Sequence, residues 1–103
     1  MREFETADTD EAIAFYRSID DPTARAVLDL LIDYPEQRFD GAATARRLGL
    51  ERHRDVTRAT FLIGRIAAAR GRTRPWNEAQ LGYCMTDDQA GLFRRARAAT
   101  TGW

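Results

Sequence analysis

Lysine is absent from this 103-residue chain, so all sixteen basic side chains are arginines. A guanidinium presents a rigid fork of donors that engages phosphate or guanine in pairs, where an ammonium acts as a point charge. A gene rich in G and C gives the same bias without selection for that chemistry. Cysteine occurs once, as Cys84, and histidine once, as His53. One of each excludes an internal disulfide and cannot supply a zinc set or a sequence-evident nucleophile and base pair. Cys84, in an apolar stretch, reads as a small core residue. Long apolar runs are missing, none approaching the roughly 18 residues that cross a bilayer. The opening MREFETADTDEA lacks the basic and apolar parts of a secretory signal, so a cytoplasmic location without a membrane partner is expected. Glycine-rich phosphate loops are lacking too, since Gly41 and Gly71 stand alone. Catalytic residues, a metal site and a cofactor are therefore not expected. The acids Asp8, Asp10, Glu11, Asp20 and Asp21 sit at helix starts, where the helix dipole favours them.

What is present fits one globular domain with a single core: 44% of residues are apolar and 31% charged. Net charge is zero, but its distribution is lopsided. Residues 1–40 carry eleven acids against four arginines, and residues 41–103 carry twelve arginines against five acids. Nine of those arginines fall between Arg46 and Arg74, offset there only by Glu51 and Asp55. Such a local concentration is the footprint of phosphate contact, because released counterions favour binding.

Apolar spacing predicts a helix from Thr9 to about Ser18, with Ala12, Ile13, Tyr16 and Ile19 inward, after a frayed segment of residues 1–8 from which Phe4 tucks onto the body. Asp21-Pro22 then supplies an N-cap and a first helical residue that needs no amide hydrogen. The next helix, Thr23 to Asp33, turns Ala24, Val27, Leu28, Leu31 and Ile32 inward and ends at Tyr34-Pro35. A last helix is expected from Asp88 to about Ala99, with Ala90, Phe93 and Ala96-Arg97 on one side and Arg94-Arg95 on the other.

Residues 40–70 read as helix, turn and helix. Asp40 caps a short helix with a stripe of Ala42, Ala45 and Leu48, Gly49 allows a left-handed turn, and Leu50 plugs the corner. From Arg54 a longer helix turns Val56, Ala59, Ile63, Ile66 and Ala67 inward and carries Arg54, Arg58, Phe61 and Arg65 opposite. Beyond Gly71, residues 72–86 suggest a hairpin: Arg72 to Asn77, a tip at Glu78-Ala79-Gln80, and Leu81 to Thr86. Pro75 would confine its strand to an edge, and Arg38-Phe39 could pair with the hairpin. The order Ala45, Leu48-Gly49-Leu50, Val56 resembles the helix-turn-helix of small bacterial DNA-binding domains, over about a quarter of the chain. It departs from that pattern in one extra residue before Val56 and in Thr60 at a place usually aliphatic. With the hairpin as a wing, the expected class is mainly α with a small β-hairpin, a winged helix-turn-helix (α+β) in a single domain of residues 1–103.

That resemblance implies a transcriptional regulator binding double-stranded DNA, the second helix, Arg54 to Arg70, lying in the major groove. Arg54, Thr57 and Arg58 would reach base edges, while Arg46 and Arg47, and Arg52 and His53 at the turn, would meet the backbone. Arg72 and Arg74 at the base of the wing would enter a neighbouring minor groove. A homodimer would double the contact, with aromatics near Phe15-Tyr16 and Leu92-Phe93 either joining the copies or filling the core. Phe61 either packs under the hairpin with Trp76 or marks a protein contact. The alternative function is a winged helix used for protein contact, its acidic and basic halves docking on partners or on each other. The operator and any small-molecule effector are beyond sequence.

Overall fold

The computed structural model describes residues 1–78 and 82–101, which hold five helices and no strand. They are α1 (Thr9–Ser18), α2 (Pro22–Asp33), α3 (Gly41–Leu48), α4 (His53–Ala69) and α5 (Asp87–Thr101). The packing pairs are α1 with α5 and α4, α2 with α4, α5 and α3, and α3 with α4.

Local chemistry accounts for most of the boundaries. Asp21 accepts from the Ala24 amide at 2.8 Å with Pro22 behind it, and Asp40 accepts from the Ala43 amide at 2.7 Å. Each satisfies an amide that the first helical turn leaves open. At the end of α3, Gly49 sits at φ 68°, with its amide on the Arg46 carbonyl and the Leu50 amide on the Ala45 carbonyl. The same pair of bonds closes α4 through Gly71 at φ 72°, where Gly71 reaches Ala68 and Arg72 reaches Ala67. Both are Schellman ends, which need a left-handed residue that glycine adopts without strain. Thr86 and Gln89 bond reciprocally, amide to side chain, and so start α5.

The core joins all five helices and includes a residue from the segment expected to be frayed. Phe4 is 5% exposed, with its ring centroid 4.9 Å from Phe15 and 5.2 Å from Phe93. Backbone bonds hold that segment down: the Arg2 amide reaches the Gly71 carbonyl, and the Thr73 amide reaches the Arg2 carbonyl. Phe15, Tyr16, Leu92 and Phe93 are all buried, so the aromatics considered for a dimer contact are core. In α3 the inward face is Gly41, Thr44 and Ala45 with Leu48 packed beside it, while Ala42 is exposed. Thr44 is tolerated inside because its hydroxyl donates to the Asp40 carbonyl at 2.8 Å. Thr60 is buried in the same way, donating to the Thr57 carbonyl at 3.0 Å.

The expected winged helix-turn-helix is corrected by this structure, because among the described residues the wing is reduced to isolated bridges. Asn77 pairs with Cys84, and Phe39 with Tyr83, both antiparallel, while Arg72 pairs in parallel with Arg2. No ladder grows from them. Arg72 and Thr73 are taken up by the Arg2 segment, Pro75 has no amide hydrogen to give, and Thr86 is committed to starting α5. Of the expected tip and return strand, residues 79–81 lie outside the described residues.

Phe4→Ala should lower stability by about 3 to 5 kcal/mol in urea titration, the cost of an unfilled aromatic site; a freely frayed segment would lose almost nothing. Tyr16 donates to Asp29 at 2.8 Å, and burial, followed by that bond, pushes its phenol from 10.0 up to about 12. The folded protein thus keeps a proton that the unfolded chain releases above pH 10, so stability should decline between pH 10 and 12. Tyr16→Phe should flatten that decline in urea midpoints measured against pH.

Candidate nucleic-acid interface

Helix α4 is turned by its apolar stripe. Val56, Ala59, Ile63 and Ala67 are buried, so at 100° per residue Arg54, Arg58, Phe61 and Arg65 point to solvent, and all four are exposed. Thr57 is exposed at the edge of that face. Arg46, in the last turn of α3, and Arg52, at the N-cap of α4, are exposed as well. Arg52 has no acceptor to offer as a cap, which leaves the first amides of α4 to solvent or to an anion.

The arginines divide by what they touch. Those of α5 serve the fold: Arg94 donates to the Ile32 carbonyl at 3.1 Å, Arg95 to the Thr6 carbonyl at 3.1 Å, and Arg97 to Asp29 at 3.3 Å and Asp33 at 2.7 Å. Burial opposes the charge of Arg97, but those two carboxylates prevail and raise its pKa further. Arg25 lies 4.5 Å over the Tyr16 ring and donates to the Tyr16 carbonyl. By contrast Arg46, Arg52, Arg54, Arg58 and Arg65 make no ion pair, side-chain hydrogen bond or ring contact among the described residues. All five belong to α3, α4 or the turn between them.

Other residues expected at DNA are placed differently. Arg47 stacks 4.5 Å over Tyr34, whose ring is 42% exposed, and so covers an aromatic while keeping an open edge. His53 is exposed and lies over Gly41, where a Cβ would collide with its imidazole. Arg72 is turned inward: its side chain is 11% exposed, 3.6 Å from Asp8 and over Phe4. Arg74 crosses Gly64 and bonds Glu78 at 2.7 Å, an oxygen that also accepts from Trp76 at 2.8 Å. Among the described residues no ladder forms a wing, and Arg72 and Arg74 instead brace the N-terminal segment and the end of α4. Arg65 is the residue that sequence reasoning put on the basic face without assigning a contact; its spacing of eleven from Arg54 was the available signal.

A shallow depression holds Arg58 beside Asp21, Asp55, Thr23 and Leu62. A larger groove of about 950 Å³ runs along the other flank of α4, past Phe61, Gly64, Arg65 and Ala68 to Phe4, Trp76 and Leu92. Among the described residues no cluster of histidine, cysteine and carboxylate could hold a metal, and no helix is long and apolar enough to cross a membrane.

Fold and surface together define a five-helix domain that presents one long helix with an unpaired basic face. Residues 9–100 match a family of unknown function, DUF6416, and the chain belongs to that family. No curated protein and no solved structure matches it.

Because their side chains hold nothing in place, Arg54→Ala and Arg58→Ala should each shift stability by less than about 0.5 kcal/mol. Arg97→Ala, which strips two partly buried carboxylates of their partner, should lower the thermal midpoint clearly in the same calorimetric series.

Proposed function

We propose that the protein binds duplex DNA sequence-specifically through the outward face of α4, as a regulator of transcription. The observation that carries this reading is the sorting of the arginines: among the described residues each of the others has a hydrogen-bond, ion-pair or ring partner, and the five without one gather on α4 and its approach. A helix is the right width for the major groove, and Arg54, Thr57 and Arg58 stand within two turns of one another on its exposed side. Arg46 and Arg52, near the N-terminal end of α4, are suited to backbone phosphate, as is the uncapped end itself. Arg47 and His53 flank that region and add donors there.

A second reading, contact with a protein partner, is favoured by Asp21 and Asp55 beside Arg58, since carboxylates repel phosphate but suit a mixed-charge interface. Salt dependence separates the two. On the DNA reading, log affinity for a selected duplex should fall linearly with log salt, by roughly 0.9 per phosphate neutralised. Arg54→Ala and Arg58→Ala should each weaken binding by about 1 to 3 kcal/mol in fluorescence anisotropy, and loss of a phosphate contact should reduce the salt slope by about 1. Undiminished affinity in the double variant would remove α4 from the interface. Sedimentation of the free and bound protein would show whether a homodimer forms on the DNA.

A further inference from the structure

Phe61 is 59% exposed halfway along α4, and among the described residues it has no aromatic or cationic partner. Of the other exposed large apolar side chains, Tyr34 is covered by the Arg47 guanidinium and Met1 is terminal. Phe61 stands in line with Arg54, Arg58 and Arg65, at spacings of four, seven and eleven residues from the first. The line is held rigidly, because the opposite face of the same turns, Thr60 and Ile63, is buried. From Arg54 to Arg65 it runs roughly 16 Å, at about 1.5 Å per residue.

The occupant of such a line must offer an apolar patch between anions. An apolar protein surface laid over Phe61 would bury Arg65, which has no ion pair among the described residues, without a counter-charge, and that is costly; Arg58 has Asp21 and Asp55 beside it. The major groove offers the required pattern: the 5-methyl of thymine is the apolar feature of an edge otherwise made of donors and acceptors, and phosphates flank it on both sides.

We infer that Phe61 is the specificity-determining side chain of this surface and packs on thymine 5-methyl groups, with Arg58 and Arg65 engaging phosphate or guanine on either side of it. The inference rests on the DNA reading above and sharpens it. Phe61 supplies selection for thymine, whereas the arginines supply affinity and register. The ring is already exposed over more than half its surface, at the edge of the groove that also holds Trp76 and Leu92.

The test replaces each thymine of a duplex selected from random sequence by deoxyuridine, which removes the methyl and leaves the pairing intact. Wild-type protein should lose about 3- to 10-fold in affinity at one or two positions, the scale set by one buried methyl. Phe61→Ala should bind the thymine duplex more weakly by a similar factor, become indifferent to the replacement, and keep the wild-type salt slope. Phe61→Leu, which preserves apolar contact, should keep part of the discrimination. Equal wild-type affinity for thymine and deoxyuridine duplexes overturns the inference while leaving DNA binding intact. Absence of any salt-dependent duplex binding overturns the DNA reading and this inference with it. A DNA-free dimer that Phe61→Ala converts to monomer would assign the ring to a second copy and equally overturn it.

Discussion

The burial of one apolar stripe of α4 is the constraint from which the rest of the surface follows. Val56, Ala59, Ile63 and Ala67 are buried where α4 packs on α2, α3 and α1, and a helix with one stripe committed has no freedom left about its own axis. Which arginines face water is then decided by residue spacing. The Schellman end at Gly49 fixes the approach of α3, and that at Gly71 turns the chain away from α4 toward the N-terminal segment. Two glycines and four buried side chains therefore determine where the free positive charge lies.

Zero net charge conceals a division of labour. Three of the eleven acids of the first part are neutralised from elsewhere in the chain, Asp29 and Asp33 by Arg97 and Asp8 by Arg72. These pairs are partly buried and bring together elements far apart in sequence, so they act in the fold. Through these pairs the acidic and basic parts of the chain meet within the molecule. On α3, α4 and their turn the pairing leaves Arg46, Arg52, Arg54, Arg58 and Arg65 against Glu51 and Asp55, while acids such as Asp10, Glu11 and Asp20 keep no ion pair elsewhere among the described residues.

The helices were legible because each carries its own local signal: Asp21-Pro22, Asp40, Gly49 and Gly71 are boundary chemistry that acts within a few residues. The outward face of α4 was legible for the same reason, its inner stripe being regular over three turns. The wing was misread because strand pairing is not local. Whether Arg72 to Asn77 joins Leu81 to Thr86 depends on what else competes for those amides, and the competitor was Arg2, seventy residues upstream. Phe4 was expected on the body, but nothing within residues 1–8 discloses that it is Phe15 and Phe93 that leave a site for its ring. In α3 the error was a rotation: Ala42 and Thr44 look like outer and inner residues exchanged until the bond from the Thr44 hydroxyl to Asp40 is seen. Arg72 and Arg74 could not be told from Arg54 and Arg58 by type, only by the acids that the fold brings to them.

An electroneutral protein with a locally basic helix differs in kind from a uniformly basic one. At about 0.15 M salt, charges more than roughly 8 Å apart are largely screened, so on approach to a polyanion the two halves of this chain offset one another and the attraction of α4 is felt only near contact. On the proposed function this weakens sliding attachment to arbitrary duplex, which depends on summed phosphate attraction, and leaves more of the binding free energy to the groove itself. Groove contacts are short-ranged and depend on shape, which suits a stripe with an aromatic ring among its guanidinium groups. On that reading the acidic first part of the chain would lower affinity for every duplex alike, so that base contacts make up a larger share of the binding that remains.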